Sequence, residues 1–505
     1  MNIATWLHQA SRTWPRRPAI YDGATLTADY GALGRRCGAL AWSLSRRHGV
    51  GVGDRVAVFA SNCPEYLEIL HAIWWLGAVA VPINHKLHPS EAGWIEGDSG
   101  ATLTLTDSSE KLGPAPRLVI GTREYLDMLE GGVIDAPLEV PKDTLAWLFY
   151  TSGTTGKPKG VILTHDNLLH MSLCYGLDVD QPSHRQVALY AAPMSHGAGL
   201  YSFPFIRAAA AHLIPQSRGF DPGEILNLAG EPGNLCFFAA PTMIKRLIAR
   251  AKEVGHDGSG IRTIIYGGGP MYAADIDAAL AQFGPRFVQI YGQGESPMTI
   301  TALSRELVAD QTHPNWRRRR DSVGVAQSAV QVAVLGEDLV PQEHGAVGQI
   351  AVRGPTVMRG YWRNEAATTA TVRDGWLLTG DLGVMDEDGF VTLTDRSKDV
   401  VISGGSNIYP REVEEILLRH PSISEAAVVG VPEAEWGEEV VAFVVTVPGA
   451  ACGKNELDSW CRAHMASFKK PKRYFFADEL PKNSYGKVLK KDLRDRLTGG
   501  NAAKT

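Results

Sequence analysis

At 505 residues, 44% hydrophobic and 21% charged, the chain exceeds what one hydrophobic core organises and is too apolar for extensive disorder. Its formal charge of −5 is small for this length, which excludes a global field steering it toward nucleic acid or an anionic membrane. The six cysteines (37, 63, 174, 236, 452 and 461) are scattered without a C-x-x-C pair, so zinc or dithiol chemistry is not expected and a reducing, cytoplasmic setting is. Met1 to Trp6 lacks the pattern of a signal peptide, no uncharged apolar run reaches the ~18 residues of a membrane span, and the final Asn-Ala-Ala-Lys-Thr is not a peroxisomal address.

The first element with a clear grammar is the apolar run Val56 to Phe59, followed by Ser61-Asn62 as an expected N-cap and Pro64 near the first helical turn. Tyr66, Leu67, Leu70, Ile73 and Trp74 then recur at helical spacing up to Gly77, and a second strand is predicted around Val79 to Val81. This is a βαβ unit of a parallel sheet. The alternation recurs at Leu145–Tyr150 with a helix after Thr164, at Ile261–Tyr266 with a helix after Met271, and at Phe287–Tyr291. Arg317 to Arg320 form a short basic run without interleaved aromatics, better suited to a solvated loop than to nucleic acid. From about Gln331 short β-rich runs take over, at Val332–Leu335, Gly348–Val352 and Gly389–Leu393. Beyond Arg396 a helix opens at Pro410, strands are predicted near Ala426–Val429 and Val440–Val447, and a helix at Glu456–His464. The expected architecture is a large α/β domain with a β subdomain over 1–395, a junction at 396–398 and a small α+β domain over 399–505.

The strongest local motif is Tyr150-Thr151-Ser152-Gly153-Thr154-Thr155-Gly156-Lys157-Pro158-Lys159-Gly160, directly after an apolar strand. Glycines let backbone N–H groups approach an anion, hydroxyls add donors and lysines neutralise charge, which suits a polyphosphate. It is not a Walker A loop, because two residues rather than four separate Gly153 from Gly156 and Pro158 follows Lys157. That spacing weighs against a P-loop binding module.

Several further motifs follow in order: Asn62-Cys63-Pro64-Glu65 with Gly77 to Pro82, Pro193-Met194-Ser195-His196, Gly267-Gly268-Gly269-Pro270, Tyr291-Gly292-Gln293-Gly294-Glu295, Thr379-Gly380-Asp381, Asp395 to Asp399, and Pro481 to Lys487. With the 150–160 loop they make the chain closely resemble, over nearly its whole length, the adenylate-forming superfamily of acyl-CoA synthetases, peptide-synthetase adenylation domains and beetle luciferases. The resemblance implies an α/β large domain with a small mobile α+β domain. It implies adenylation of a fatty or aromatic acid by ATP, with AMP and pyrophosphate released, followed by transfer to coenzyme A.

The resemblance also assigns roles, and each is chemically sensible. Thr151, Ser152, Gly153, Thr154, Thr155, Gly156 and Lys157 would hold phosphates, with Thr151 also near the reacting groups. Tyr291, followed by Gly292, would stack on adenine, and Gly267, Gly268 and Gly269 would border its edge. Asp381 would accept from the ribose hydroxyls, with Arg396 as a second ribose or phosphate contact. Glu295 would hold Mg²⁺, a hard cation that takes one or two carboxylates plus phosphate oxygens. Lys487 would stabilise charge on the α-phosphate and pyrophosphate, although a lysine in a basic C-terminal stretch is by itself unremarkable. Lys398 would be the hinge, its plain alternative being a charged linker residue. His196, Phe238, Ala239 and Gly292 would border the acyl pocket, His196 either polarising the substrate or shaping the wall. Ser403, Gly404, Gly405 and Trp436 would meet coenzyme A, with a core tryptophan as the rival reading of Trp436.

Two departures stand out. Gly294 replaces the Thr or Ser usual in this superfamily, and Asn483 and Tyr485 replace a Thr and a small polar residue. No acidic residue follows Pro193 to hold an α-amine. The partners implied are a small carboxylic acid, ATP and coenzyme A, with no nucleic acid, and a monomer or homodimer. Carrier-protein-directed adenylation and luciferase-like oxygenation remain the alternatives within the resemblance.

Overall fold

The computed structural model describes residues 1–109, 112–151, 157–396, 398–403, 406–433, 436–482 and 488–498, and structural statements below refer to these. The expected βαβ unit is present. Arg55–Ala60 and Val79–Asn84 are parallel neighbours, joined by the helix Glu65–Trp75, which buries Tyr66, Leu67, Leu70, Ile73 and Trp74. Gly77, at φ +68°, lets the chain reverse after that helix.

These strands sit in a seven-stranded sheet, ordered Gly360–Tyr361, Lys159–Thr164, Leu145–Thr151, Val79–Asn84, Arg55–Ala60, Leu103–Thr106 and Arg117–Val119. One strand absent from the sequence reading, Lys159–Thr164, runs antiparallel to Leu145–Thr151 before the helix His165–Cys174, which Thr164 caps. A second, nine-stranded sheet contains Phe287–Gln293, Ile261–Tyr266, Leu235–Ala239, Val187–Leu189 and Ala211–Ile214 as consecutive parallel neighbours. Trp147 and Ile290 from the two sheets meet Trp74 and Phe203 from helices packed on them in one continuous core.

The β-rich texture after Gln331 forms a separate sheet of Gln331–Leu335, Gly348–Arg353, Trp376–Met385, Val372–Arg373 and Val391–Arg396. Beyond Lys398 lie the hairpin Val401–Ser403 and Ser406–Ile408, the helix Pro410–Leu418, the long pair Ile423–Glu433 and Gly437–Thr446, the helix Lys454–His464 and the strand Arg473–Phe476. They enclose their own core around Val413, Val428, Ala442 and Leu457. Among the described residues no helix is long and apolar enough to cross a membrane.

Two local expectations are corrected. Ser61-Asn62 do not cap the following helix, whose N-cap position is Pro64 without a side-chain bond. Asn62 instead donates to the carbonyls of Tyr190 and Ala192 and accepts from the N–H of Met194, at 2.8, 2.9 and 2.8 Å, so it ties the two sheets together. Arg317–Arg320 is not a solvated loop but part of the helix Trp316–Asp321. Arg320 is buried against Asp277, while Arg318 and Arg319 pair with Asp386 and Asp388 at 2.9 and 3.0 Å. The carboxylates that organise this run lie far away in sequence.

Candidate active site

Parallel sheets gather ligands beyond the carboxyl ends of their strands, and Phe238, Gly267 and Tyr291 lie at or just past such ends. Tyr291 lies near the end of Phe287–Gln293 and is buried. Its hydroxyl donates to Asp381 Oδ2 at 2.6 Å, and Arg396 Nε meets Asp381 Oδ1 at 3.1 Å. Asp381 and Arg396 face each other because Trp376–Met385 and Val391–Arg396 are paired, with 381 opposite 396. The Asp381 side chain is 9% exposed and the Arg396 side chain 40%, so the aspartate is held inside and the guanidinium reaches toward solvent. Burial and then the Asp381 carboxylate push the Tyr291 phenol well above its ordinary range, so it remains a donor. Thr379, on the same strand, holds Asp381 by donating to the Ile350 carbonyl and accepting from the Asp381 N–H.

The glycines of the neighbouring segments are required by the protein itself. A Cβ on Gly267 would stand 2.5 Å from the Ile290 carbonyl oxygen, and one on Gly292 would stand 2.4 Å from the Met298 nitrogen. Gly268 has φ +76°, and Gly269 has only Pro241 near it, at 3.8 Å. The edge at 267–269 is thus backbone, with open space at its end.

Glu295 is 9% exposed, and its Oε1 accepts from the Tyr361 hydroxyl at 2.6 Å. Tyr361 escaped the sequence reading because it lies 66 residues from Glu295 and arrives through the pairing of Gly360–Tyr361 with Lys159–Thr164. The Lys159 ammonium stands 5.0 Å from the Tyr361 ring centre and that of Lys157 stands 5.7 Å from Trp94, which gives two cations seated on aromatic faces beside the loop. Thr151 ends its strand opposite Lys159. Ser152, Gly153, Thr154, Thr155, Gly156, Gly404, Gly405 and Lys487 lie outside the described residues.

Packing accounts for the departure at Gly294. A Cβ there would come 2.4 Å from Thr151 Cγ2 and 3.0 Å from the Phe149 ring. The space that a threonine would need is filled by Phe149, whose ring packs edge-on to His196 with centroids 4.9 Å apart. His196 Nδ1 lies 3.1 Å from Ser195 Oγ, and burial lowers the imidazole to about 4, so it is neutral near pH 7. Phe238 is half-buried and borders a small cavity with Ala198, whereas Ala239, the next residue on the strand, is fully buried in the core on the other side of the sheet. Alternation along a strand separates the two.

In the small domain, Ser403 is the Cα partner of Gly437, which sets the hairpin beside Trp436. Trp436 is 54% exposed, so it is not a core tryptophan. Its backbone N–H donates to Glu433. Lys398 is exposed, and partial burial first, then the Arg396 guanidinium, lowers its ammonium. Within the small domain Arg494 pairs with Asp399 at 2.7 Å, and across the junction the Arg411 N–H donates to Asp395 at 3.0 Å. The Tyr272 hydroxyl, two residues past Pro270, donates to Glu414 at 3.1 Å.

Two profiles of known families match the chain: AMP-binding enzyme over residues 7–362 and AMP-binding enzyme C-terminal domain over residues 412–487. The chain belongs to the AMP-binding enzyme family. Among the family's characterised members it is 36% identical over 501 residues to a feruloyl-CoA synthase of an Amycolatopsis species, with 98% of this chain and 99% of the relative covered. It is 34% identical to a 2-succinylbenzoate--CoA ligase of Geobacillus kaustophilus, with 97% of each chain covered. The structure of ATP-bound MatB from Rhodopseudomonas palustris superposes with a TM-score of 0.87 at 31% identity, covering 98% of this chain and 99% of that one. The fold of this AMP-binding enzyme is thus the adenylate-forming one, with a large N-terminal and a small C-terminal domain.

Proposed function

We propose that the chain is an ATP-dependent carboxylic acid:CoA ligase, which adenylates a fatty or aromatic acid and then forms the acyl-CoA thioester. The reaction class is supported by relatives named as CoA ligases across nearly the full chain. The observation that carries the site is the array of buried Tyr291 and Asp381 with the partly exposed Arg396, which presents a ring, a carboxylate and a guanidinium beside an open backbone edge. In this reading Tyr291 stacks on adenine beside Gly267–Gly269. Asp381 accepts from the ribose hydroxyls and Arg396 contacts ribose or phosphate.

The loop from Thr151 to Lys157 holds the phosphates while the acid's carboxylate oxygen attacks the α-phosphorus and pyrophosphate leaves. Lys487 stabilises the charge that develops there. Glu295 fits a Mg²⁺ site: it is a nearly buried carboxylate with Oε1 fixed by Tyr361, and the other oxygen is the one a hard cation would take. The ion would neutralise charge on the phosphate oxygens. Residues 1–395 form the adenylating body, 396–398 the pivot about Lys398, and 399–505 a lid. After the lid turns, Ser403, Gly404, Gly405 and Trp436 guide the pantetheine arm, the thiol attacks the acyl carbonyl, and AMP leaves. Burial without charge suits His196 to shaping the acyl wall with Phe238.

Incubation with ATP, a panel of carboxylic acids and coenzyme A tests the reading. AMP and pyrophosphate are expected in step with thioester; stoichiometric ADP would overturn it.

A further inference from the structure

Behind Phe238 and Ala198 the acyl wall closes over a cavity also lined by Tyr190, Tyr201, Phe205 and Ile265, with room for about one water molecule. Its depth can be read from strand register. Phe238 pairs with Ile265 near the carboxyl ends of their strands, and Cys236 pairs with Thr263 two residues deeper on the same faces, ~7 Å further from the nucleotide side. The mouth is apolar and the floor is not. Thr263 donates to Asp180, which also pairs with Arg262 and Arg305 at 3.4 and 3.3 Å.

Asp180 directly follows a π-helical turn, Tyr175–Val179, a rare deviation that recurs at functional sites. That turn presents Tyr175, whose ring meets those of Tyr201 and Phe205 with centroids 4.8 and 5.5 Å away. The hydroxyls of Tyr175 and Tyr201 are fully buried and have no hydrogen-bond partner among the described residues. Tyr190 differs, because its hydroxyl is engaged by His212 Nδ1 at 2.7 Å. An unpartnered buried hydroxyl costs free energy that a ligand group can recover, and here two of them adjoin one aromatic-lined cavity.

We propose that this cavity receives the far end of the substrate acid, and that the preferred acid is aromatic with a ring hydroxyl remote from its carboxyl group. The inference rests on the ligase reading above. The rings of Tyr201, Phe205 and Phe238 pack the substrate ring, and its hydroxyl exchanges hydrogen bonds with Tyr175 and Tyr201. Side-chain rotation of Phe238, the half-buried residue at the mouth, enlarges the cavity to admit it.

The test compares 4-hydroxycinnamic acid, cinnamic acid and decanoic acid in CoA-dependent AMP release by the full chain. A site that satisfies a substrate hydroxyl should favour the hydroxylated acid over cinnamic acid by about ten- to a hundredfold in kcat/KM. Tyr175→Phe and Tyr201→Phe, which remove one oxygen each and keep the ring, should collapse that ratio toward one. Equal or better use of cinnamic or decanoic acid overturns the proposal and leaves the ligase reading standing. So does an unchanged ratio in both variants, or turnover confined to acids outside the three. Absence of acid-dependent AMP release with any carboxylic acid would bring down both.

Discussion

The array proposed to face the nucleotide and the hairpin proposed to face the thiol are built on opposite terms. Tyr291 and Asp381 are buried and bonded to each other, whereas Trp436 is half in solvent and Ser403 ends a short three-residue strand. An electrostatic site gains from preorganisation because its dipoles need not reorient as charge develops. A surface that must travel has to remain exposed until it meets its counterpart, and gating elements are drawn from such regions. Substitutions can therefore separate the first half-reaction from the second.

The largest separation is expected at Lys487 and Lys398. Lys487→Ala should slow adenylate formation by ~10²–10³ or more, the cost of removing one preorganised donor. The same variant should still convert preformed acyl-adenylate to thioester. Lys398→Pro should do the reverse, since proline fixes φ near −65° and removes the freedom a pivot needs. Single-turnover assays of each half-reaction measure both. Equal loss of both halves in both variants would mean that one fixed arrangement performs all the chemistry.

Gly294 comes next, and it shows where sequence reasoning stops. The motif 291–295 is legible as a motif, and so is its departure at 294, but the reason is three-dimensional. Phe149 and Thr151, on another strand, already fill the volume of the expected hydroxyl. Gly294→Thr should push Phe149 toward His196 and lower acid-dependent pyrophosphate exchange by about tenfold, in line with an overpacking cost of ~1–3 kcal/mol. Adding Thr151→Ser, which keeps the hydroxyl and removes Cγ2, should restore part of it. Unchanged exchange in the single variant would mean that the wall yields.

The same boundary runs through the rest of the chain. Alternating apolar runs give the βαβ grammar, because 3.6- and 2-residue periods are local properties. Asn62 looks like a helix cap and serves as a clamp on Tyr190–Met194, since its partners lie 128 to 132 residues away. The tetra-arginine run looks solvated until Asp277, Asp386 and Asp388 are brought to it. Tyr361, Tyr175 and Tyr201 carry no motif around them, and only burial and long-range pairing single them out.

A pH dependence should mark the first region. His71, His165 and His196 are lowered to about 4 and His212 to about 3, chiefly by burial, and all belong to the large domain. A depressed folded pKa means that the unfolded chain binds protons which the folded chain refuses. The associated stability is fully present above about pH 6.5, the free-imidazole value, and is lost as pH falls toward 4, at about 1.4 kcal/mol per pKa unit for each group. Calorimetry from pH 7.5 to 4.5 should show the transition of the large domain moving down first. A melting temperature flat across that window would show that these imidazoles are solvated.

The smallest effect is expected at Trp436 and bears most directly on the comparison. With 54% of its surface exposed, its side chain contributes little to the core of the small domain, and Trp436→Ala should shift stability by no more than about 0.5 kcal/mol. Pyrophosphate exchange should be unchanged, because the Tyr291–Asp381–Arg396 array does not involve it. If the indole packs along the pantetheine arm after the lid turns, the KM for coenzyme A should rise about threefold to tenfold, the loss of one partly buried aromatic contact. A Phe at the same position should recover most of it, since the flat apolar face is what matters. A fall in melting temperature of several degrees with no change in the KM for coenzyme A would instead make Trp436 a packing residue at the start of the strand Gly437–Thr446, and the thiol path would have to be sought along the other side of the hairpin.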